Sequence, residues 1–243
     1  MSNTSIFIDP DRPKPRFRPF MAMSHMNKLL ADKEDTQHVF FIIEALNGNA
    51  LRRNFSRFLE SDAGQARFAA RRDLAPIMDD HAAFGDLAAG SVGRKYIDFM
   101  KREGLTAAGL VEESQIRTRG EKQFDDDLTW FSNRLRDTHD IFHVLSGYGR
   151  DGLGEAALLM FSNGQNPGRG ISFISNIAFR QMHKTLGAEI DFKAVKAEAR
   201  RNGKAAAKIV EQDIPGLMHE PIDEVRARLG IEKPVAYLSL IHI

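Results

Sequence analysis

The sequence predicts an all-α protein with one helical domain. Most apolar residues recur at the three- and four-residue spacing of amphipathic helices. No alternation of strand and helix and no internal repeat is detected. With 243 residues, of which 42% are hydrophobic and 28% charged, the chain can bury a sizeable core. We therefore expect a flexible arm rich in proline and arginine over residues 1–19, and a single helical domain over residues 20–243.

Composition and the absence of certain motifs exclude several kinds of functional site and partner. The chain contains no cysteine, which excludes disulfides, thiolate metal ligands and cysteine nucleophiles, and fits a reducing compartment. A formal net charge of +1 gives no general attraction to nucleic acid, so no such partner is expected. We find no signal-peptide core and no membrane-spanning apolar run, and expect an intracellular protein that does not cross a membrane. The hallmark phosphate loops of nucleotide-binding proteins are missing from the sequence.

Capping residues and apolar spacing locate the helices. Thr36 and Ser91 are expected to cap two of them, and Gly48 to end the first. The apolar run at 39–43 also fits a buried strand, but its helical neighbours favour a helix. Residues 104–127 are interpreted as a short helix with a loop. Besides the pair that carries the motif described below, helices are predicted over residues 20–30, 38–46, 51–59, 64–72, 92–100, 171–186, 192–210 and 221–229.

Four segments allow two or more interpretations each. Residues 10–19 intersperse proline with arginine and lysine, which favours an extended arm, either a solvated leader or a tether to a membrane or partner. Acidic residues 125–127 resemble a metal cluster, but favourable charges at a helix N-terminus are the simpler interpretation. The basic helix at 192–210, weakened by Gly203, presents a solvated face or rests on anionic lipid. The apolar tail at 234–243 packs on the body, joins a dimer contact or touches a membrane.

Two histidines and two acids are the candidate functional residues. His139 and His143 lie four residues apart, so in a helix they project from the same side, and Asp140 lies beside His143. Glycines at 147–154 then let the chain turn back, so that Glu155 can face the histidines from an antiparallel helix. Two imidazoles and two carboxylates that converge are typical of a divalent-metal site between two helices.

The alternative is a chance pairing of these residues on a solvated face. Apolar residues at 141, 142, 144 and 145 indicate instead a buried helix, in which an unpaired histidine or aspartate would be costly. A metal ion would supply a partner for all of them at once. Zinc is the expected ion, and iron or another divalent ion also suits the ligand set.

Nearby arginines and the glycine-rich turn are further candidates. Arg136 can pair with a substrate carboxylate as a bidentate donor, or form a salt bridge to Asp137 or Asp140 instead. The turn at 147–154, with Arg150 and the N-terminus of the next helix, can bind a phosphate through backbone N–H groups. Its simpler role is to reverse the chain.

The motif RLRDTHDIFH, with a glutamate twelve residues beyond its second histidine, resembles that of the coenzyme Q (ubiquinone) biosynthesis protein 4 family. The resemblance extends to GSVGRKYIDFM at 90–100, to the loop at 163–167 and to MHEPIDEVRARLGI at 218–231. It covers roughly residues 35–232. Met218 is a mild departure, because family members often carry an aromatic residue before the His-Glu-Pro segment. The departure leaves the candidate site untouched.

The resemblance implies an all-helical protein, peripheral to a membrane, that acts in ubiquinone synthesis. It implies a metal-dependent oxidative decarboxylase that replaces the carboxylate at ring carbon C1 of a polyprenylated hydroxybenzoate by a hydroxyl. The metal ligands and catalytic residues would be His139, Asp140, His143 and Glu155. Arg134 and Arg136 would bind substrate, and the long apolar helices would line a groove for the isoprenoid tail.

The expected partners follow from the same resemblance. They are a polyprenylated aromatic lipid, a membrane surface and the other ubiquinone-biosynthesis enzymes, and we also expect a homodimer. The expected location is cytoplasmic and peripheral on the inner membrane, or the equivalent organellar matrix face.

Two other classes of function remain open. The first is a lipid-binding scaffold that organises a quinone-biosynthesis complex around a structural metal site. The second is a metal phosphohydrolase of the HD type, since His139 and Asp140 supply its doublet. That class needs a distant upstream histidine and a downstream aspartate, whereas this motif is compact and ends in a glutamate.

Overall fold

The computed structural model describes residues 6–32, 35–84, 86–116, 122–186 and 190–240, except for the side chain of residue 113. Within these ranges the regular structure is helical, and an isolated bridge between Ser91 and Pro221 is the one β-type pairing described. The predicted all-α class with a single helical domain is confirmed.

Fifteen α-helices and one 3-10 turn, Ile209–Glu211, make up the described part of the chain. The α-helices are α1 Pro19–Ala31, α2 Gln37–Asn47, α3 Ala50–Phe58, α4 Asp62–Ala70, α5 Leu74–Asp79, α6 Val92–Glu103, α7 Ala107–Ile116, α8 Asp127–Asp137, α9 His139–Ser146, α10 Gly152–Gln165, α11 Arg169–Leu186, α12 Phe192–Ala205, α13 Ile214–Leu217, α14 Ile222–Leu229 and α15 Val235–Leu238.

Two predicted helix boundaries agree with the structure at their caps. The hydroxyl of Ser91 accepts a hydrogen bond from the backbone N–H of Arg94, and Gly48 ends α2 with a φ of 49°. The ambiguous run at 39–43 is helical. Pro76 lies in the first turn of α5, where a backbone N–H would have no acceptor within the helix, so the proline costs no helical hydrogen bond.

Helix α10 lies at the centre of the core. It packs against α9, α11 and α12, and its Leu158 and Phe161 are fully buried. Two smaller apolar clusters flank this core. One joins α1, α2 and α11, and the other joins α3, α4 and α8. Helix α9 is buried from Asp140 to its end at Ser146, so its polar residues lie inside the protein.

Helices α10 and α12 approach each other closely at two glycines. A Cβ atom on Gly203 would lie 2.1 Å from the carbonyl oxygen of Phe161, and one on Gly164 would lie 2.8 Å from the carbonyl carbon of Gly203. The Gln165 amide nitrogen donates to the carbonyls of Gly203 and Ala206, at 2.9 and 3.0 Å. Helix α12 ends at Ala205, beside these contacts, so the predicted end at residue 210 was wrong by five residues.

The acidic residues at 125–127 are helix N-terminal charges, as the simpler interpretation predicted. Asp126 caps α8 by accepting from the backbone N–H of Thr129. The same carboxylate receives both Arg12 donors from the N-terminal arm, at 2.7 and 2.6 Å. The backbone N–H of Phe7 donates to the Asp127 carboxylate at 2.6 Å, and the backbone N–H of Asp127 donates to the carbonyl of Phe7 at 3.0 Å. Residues 6–18 contain no helix, and their first half is bound to the body through these acids.

The Asp126 carboxylate makes arm binding dependent on pH. Burial alone would raise its pKa, but the Arg12 guanidinium and two backbone N–H groups outweigh burial and lower the pKa to about 2. The folded pKa lies below the unfolded value, so the stabilisation is present above pH ~4 and is lost as pH falls towards 2. We expect Asp126→Asn to lower the free energy of unfolding by about 2 kcal/mol at pH 6. Urea titrations of both proteins should show this difference shrinking below pH ~4.

The matched control for this prediction is Asp125→Asn. Asp125 is exposed and adjacent in sequence, so its substitution should leave the unfolding curve within about 0.5 kcal/mol of the parent. Equal pH dependence of the Asp126→Asn protein and the parent would contradict a role for this ion pair.

The apolar tail packs on the body up to residue 240. Tyr237 is buried in the main core cluster, and Leu238 and Leu240 pack against that cluster. Residues 241–243 lie outside the described part. None of the described helices combines the length and the apolar character needed to cross a bilayer.

Candidate metal centre

The candidate residues lie on two helices joined by a glycine turn. Helix α8 ends at Asp137, and the Thr138 hydroxyl donates to the carbonyl of Arg134 at 2.9 Å, where the helical path is interrupted. Helix α9 then begins at His139. Gly147, with a φ of 80°, ends α9 in the left-handed region that glycine adopts readily. Asp151 caps α10, which places Glu155 in its first turn.

Three of the four predicted ligands meet in space. One ligand atom from each of His139, Asp140 and His143 lies within 4.8 Å of the others. The Nδ1 of His139 lies 3.3 Å from Oδ1 of Asp140, and the two imidazole centroids are 5.0 Å apart. Burial lowers the pKa of His139, but its hydrogen bond to Asp140 and the charges of Asp140 and Glu155 outweigh burial and raise it overall. Burial raises the pKa of Asp140, but its hydrogen bond to His139 and the charges of His139 and His143 outweigh burial and lower that pKa overall.

His143 is the deepest member of the cluster. Its Nδ1 lies 2.8 Å from the carbonyl oxygen of Tyr148, an acceptor that requires the proton on Nδ1. The ring stacks on Phe99 of α6, with centroids 5.3 Å apart. Nε2 is therefore unprotonated, and it is buried without a hydrogen-bond partner among the described residues. Burial, with the charge of His139, lowers the pKa of His143 to about 3, so the ring is neutral.

Glu155 stands outside the three-residue set but faces it. Its Oε1 lies 3.6 Å from Nε2 of His143, and also 3.6 Å from Nε of Arg150. Burial raises the pKa of Glu155. About a third of the side chain is exposed at Glu155, Arg150 and His139, whereas His143 is fully enclosed. The cluster is therefore closed at His143 and open to solvent where His139, Glu155 and Arg150 lie.

The two arginines predicted to bind substrate are occupied elsewhere. Arg134 is buried and donates to the carbonyl oxygens of Val210 and Gln212, each at 2.7 Å. Arg136 donates to the Asp137 carboxylate at 2.7 Å, which was the alternative interpretation from the sequence. Their predicted contact with substrate stays a prediction. Arg150 is the arginine that lies beside Glu155. The sequence feature that indicated its closeness to the cluster is its position in the glycine turn between α9 and α10.

Three aromatic residues support the cluster and were not singled out for this role. Tyr96 and Phe99 carry the helical spacing of core residues, and the sequence indicated only that they are buried. Burial raises the pKa of Tyr96, and the charge of Asp140 raises it further. The Tyr237 hydroxyl donates to the Asp151 carboxylate and accepts from the backbone N–H of Gly149 at 3.0 Å. Tyr237 thus holds the turn whose Tyr148 carbonyl orients His143.

Tyr237→Phe should weaken metal binding without touching a ligand. The change removes two hydrogen bonds from the turn, which should cost about 1–3 kcal/mol of stability. Loosening the carbonyl that orients His143, a predicted metal ligand, should reduce metal affinity by about tenfold or more. Isothermal titration of the metal-free protein with Zn²⁺ measures the second effect, and urea unfolding measures the first.

Tyr148→Phe is the matched control. The Tyr148 hydroxyl is buried with no hydrogen-bond partner among the described residues, while the carbonyl that His143 uses belongs to the backbone. Its removal should leave both stability and Zn²⁺ affinity unchanged or slightly improved. Equal losses in both variants would show that tyrosine packing, and not the Tyr237 hydrogen bonds, supports the site.

Comparison with known proteins agrees with the sequence resemblance. The family model described as coenzyme Q (ubiquinone) biosynthesis protein Coq4 matches residues 17–235. That match begins in the last residues of the predicted arm and is wider than the 35–232 estimated from the motifs.

Fungal relatives carry the name of the same family. The mitochondrial ubiquinone biosynthesis protein COQ4 of Ajellomyces capsulatus is 31% identical over 153 residues, which are 61% of this chain and 50% of the relative. The corresponding protein of Aspergillus flavus is 28% identical over 152 residues, or 61% of this chain and 49% of the relative. The chain thus spans about half the length of these relatives.

The fold is shared with a protein of known structure. A crystal structure described as a ubiquinone biosynthesis protein of Nostoc punctiforme superposes with a TM-score of 0.63 at 21% identity, over 89% of this chain and all of that one. At this identity the likeness concerns the fold alone. The family match over most of the chain decides the assignment: this protein belongs to the Coq4 family of ubiquinone biosynthesis proteins.

Proposed function

We propose that this protein is a metal-dependent oxidative decarboxylase of ubiquinone biosynthesis. Its substrate would be a polyprenylated hydroxybenzoate, whose carboxylate at C1 is replaced by a hydroxyl. The observation that carries the proposal is the Nε2 atom of His143. It is unprotonated, buried and without a partner among the described residues, and it points towards Glu155 beside His139 and Asp140.

The residues present fit a divalent metal ion. A neutral imidazole with its Nδ1 proton bound to a backbone carbonyl is the usual form of a ligating histidine. His139, Asp140, His143 and Glu155 would hold the ion, a set of two nitrogens and two carboxylates that suits zinc or iron. The ion would polarise a bound phenolate or carboxylate as a Lewis acid. Zinc is our first candidate, and iron would add redox chemistry.

Arg150 is the group we assign to the substrate carboxylate. Its guanidinium lies at the open side of the cluster, 3.6 Å from Glu155, and about a third of it is exposed. A guanidinium there can bind a carboxylate through two parallel hydrogen bonds and hold it beside His139. Arg134 and Arg136, which were predicted to bind substrate, donate to protein acceptors instead of lying beside Glu155, so we place Arg150 first and keep those two as predicted contacts.

The overall reaction requires an oxidant. Replacing a ring carboxylate by a hydroxyl releases carbon dioxide and removes two electrons from the ring. We propose that molecular oxygen accepts these two electrons with two protons and leaves as hydrogen peroxide, while water supplies the oxygen of the new hydroxyl. With zinc, the electron-rich phenol itself would have to react with oxygen, since zinc has no redox chemistry. The protein's part is then to bind the carboxylate, orient the ring and shield it from bulk water on the enclosed side.

The proposed setting is a membrane surface. The two fungal relatives are named as mitochondrial proteins. We propose that this chain is peripheral on the inner membrane, on the cytoplasmic or the equivalent matrix face, and binds its lipid substrate there. A homodimer and contacts with the other ubiquinone-biosynthesis enzymes belong to the same proposal.

A product assay tests the enzymatic proposal. The purified protein is loaded with Fe²⁺ or Zn²⁺ and given a carboxyl-labelled polyprenyl hydroxybenzoate, with and without oxygen. We expect labelled carbon dioxide and a product hydroxylated at C1, both dependent on oxygen and on Arg150, and both reduced in Arg150→Gln. Arg180→Gln, at an exposed arginine of α11, is the matched control.

The alternative is a lipid-binding scaffold with a structural metal. It is favoured by the enclosure of His143, since structural sites are usually closed to substrate. Tight lipid binding without turnover, together with unfolding when a chelator removes the metal, would support the scaffold and contradict the enzyme.

A further inference from the structure

We propose that the junction between the arm and α1 is the surface by which this protein docks on an anionic lipid bilayer. We call this surface the α1 tip and define it as Lys14, Arg16, Phe17, Phe20 and Met23. Its large apolar side chains would enter the interfacial region of the bilayer, while its two cations would contact the anionic headgroups.

The apolar part of the α1 tip is unusually exposed. Phe20 is 91% accessible, Phe17 60% and Met23 46%. Phe20 and Met23 are three residues apart in α1 and therefore project from one side of that helix, and Phe17 precedes the helix by two residues in the sequence. Large apolar side chains exposed together in one short segment mark a binding site more often than scattered single residues do.

The helix behind the tip is held firmly by its opposite face. Ala22, Met26 and Leu29 are buried in the cluster that α1 shares with α2 and α11. The backbone N–H of Arg18 donates to the carbonyl of Ala45 at 2.8 Å, which attaches the start of α1 to α2. The exposed phenylalanines therefore project from a fixed support, so that little conformational entropy is lost when they bind.

The charge around the tip selects an anionic partner. Lys14 and Arg16 are exposed and have no ion pair among the residues that the structure describes. Arg18, between them and α1, is paired with Glu44. The Arg169 guanidinium lies over the Phe17 ring, 5.9 Å from its centroid, and adds a further cation. Cations that flank exposed aromatic side chains are the pattern of proteins that rest on anionic lipid surfaces.

A bilayer fits this surface better than a second copy of this chain does. A symmetric contact between two copies would bring Lys14 and Arg16 of one copy against the same cations of the other. The competing lipid surface is the basic face of α12, where Lys193, Arg200 and Lys204 are exposed but their exposed apolar neighbours are only alanines.

The inference rests on the proposed function in one respect, namely that the substrate lies in a membrane. Docking itself does not require turnover, so the two can fail separately. A protein that binds vesicles and has no decarboxylase activity would contradict the enzyme and leave the α1 tip intact. An active protein that does not bind vesicles would contradict docking through the α1 tip and leave the enzymatic proposal intact.

Vesicle co-sedimentation of the full chain tests the proposal. The probes are vesicles of phosphatidylcholine and phosphatidylglycerol in equal parts, and vesicles of phosphatidylcholine alone. We expect binding to the anionic vesicles, reduced by high salt and about tenfold or more weaker for Phe20→Ser, because burying a phenylalanine contributes that much. Lys14→Glu with Arg16→Glu should weaken binding by about twentyfold or more.

Matched controls separate the α1 tip from exposed apolar surface in general. Leu186 and Val235 are 58% and 64% exposed and lie on other helices, so Leu186→Ser and Val235→Ser should bind vesicles like the parent. Glu155→Gln, at the metal cluster, should also bind like the parent. Circular dichroism is expected to be unchanged in Phe20→Ser, whose side chain has almost no protein contact to lose.

Three results would overturn the proposal. One is parental vesicle binding by Phe20→Ser and by the Lys14→Glu, Arg16→Glu protein. Another is loss of binding when Lys193, Arg200 and Lys204 are changed to glutamate while the tip is intact, which would assign the contact to α12. The third is a parent chain that binds no vesicles but dimerises through Phe20, detected by analytical ultracentrifugation of the parent and Phe20→Ser.

Discussion

His143→Ala is expected to abolish metal binding at the cluster. Among the four proposed ligands, His143 is the one whose ring nitrogen Nε2 is buried without a hydrogen-bond partner in the described part of the chain, and its Nδ1 bond to Tyr148 fixes Nε2 in the unprotonated form. Loss of an orienting neighbour typically costs up to about a hundredfold in affinity, and loss of the ligand itself should cost at least that much. Elemental analysis of the purified protein and titration of the metal-free form with Zn²⁺ and Fe²⁺ give the result.

Two further variants make this result interpretable. His183→Ala removes an exposed histidine on α11 and should retain the parental metal content. Glu155→Gln keeps the side-chain volume and should still lower affinity if Glu155 is a ligand, which protects the test against poor folding of His143→Ala. Full metal occupancy in both His143→Ala and Glu155→Gln would show that the cluster is not the site.

Gly203→Ala is expected to destabilise the centre of the fold strongly. The added Cβ would lie 2.1 Å from the carbonyl oxygen of Phe161, and the obstacle is helix backbone that cannot rotate away. Forcing α10 and α12 apart would also stretch the Gln165 bonds to the carbonyls of Gly203 and Ala206. We expect a loss of about 3 kcal/mol in the free energy of unfolding. The midpoint of thermal unfolding should fall by about 9 °C.

The matched control lies on α10 itself. Gly152→Ala adds the same methyl group where no atom lies within 4 Å, so the unfolding midpoint should change by no more than about 2 °C. Because α10 carries Glu155 and α12 does not, Gly203→Ala also tests how far the site depends on the packing of α10. A Gly203→Ala protein with parental stability would mean that the two helices can separate without cost.

Local signals in the sequence were enough for the helices and for most of the cluster. Ser91 and Gly48 mark helix ends through interactions with their immediate neighbours, and the structure agrees with both. The spacing of His139, Asp140 and His143 brings them together through helical geometry alone. Their proximity could be predicted without knowing any distant residue, because the three side chains lie within about one turn of the same helix.

Contacts between residues far apart in sequence could not be predicted in the same way. Arg134 precedes the motif closely, yet its guanidinium binds the carbonyl of Val210, a residue 76 positions away. Tyr237 supports the glycine turn from 88 positions beyond Gly149. Such partners are selected by packing of the whole chain, and no local pattern encodes which carbonyl a buried donor will reach.

By itself, the sequence determined the all-helical class, the family motif and the three polar residues that cluster on α9, because each depends on periodicity within one helix. Only the tertiary structure decided that Nε2 of His143 is buried and unpaired, that Arg150 rather than Arg134 lies beside Glu155, and that Phe20 projects from the surface. The physical reason is that burial and pairing are properties of the space between helices. That space is defined by packing contacts such as the approach of Gly203 to Phe161. These contacts join residues that are far apart in sequence, so the local pattern around one residue does not identify its partner.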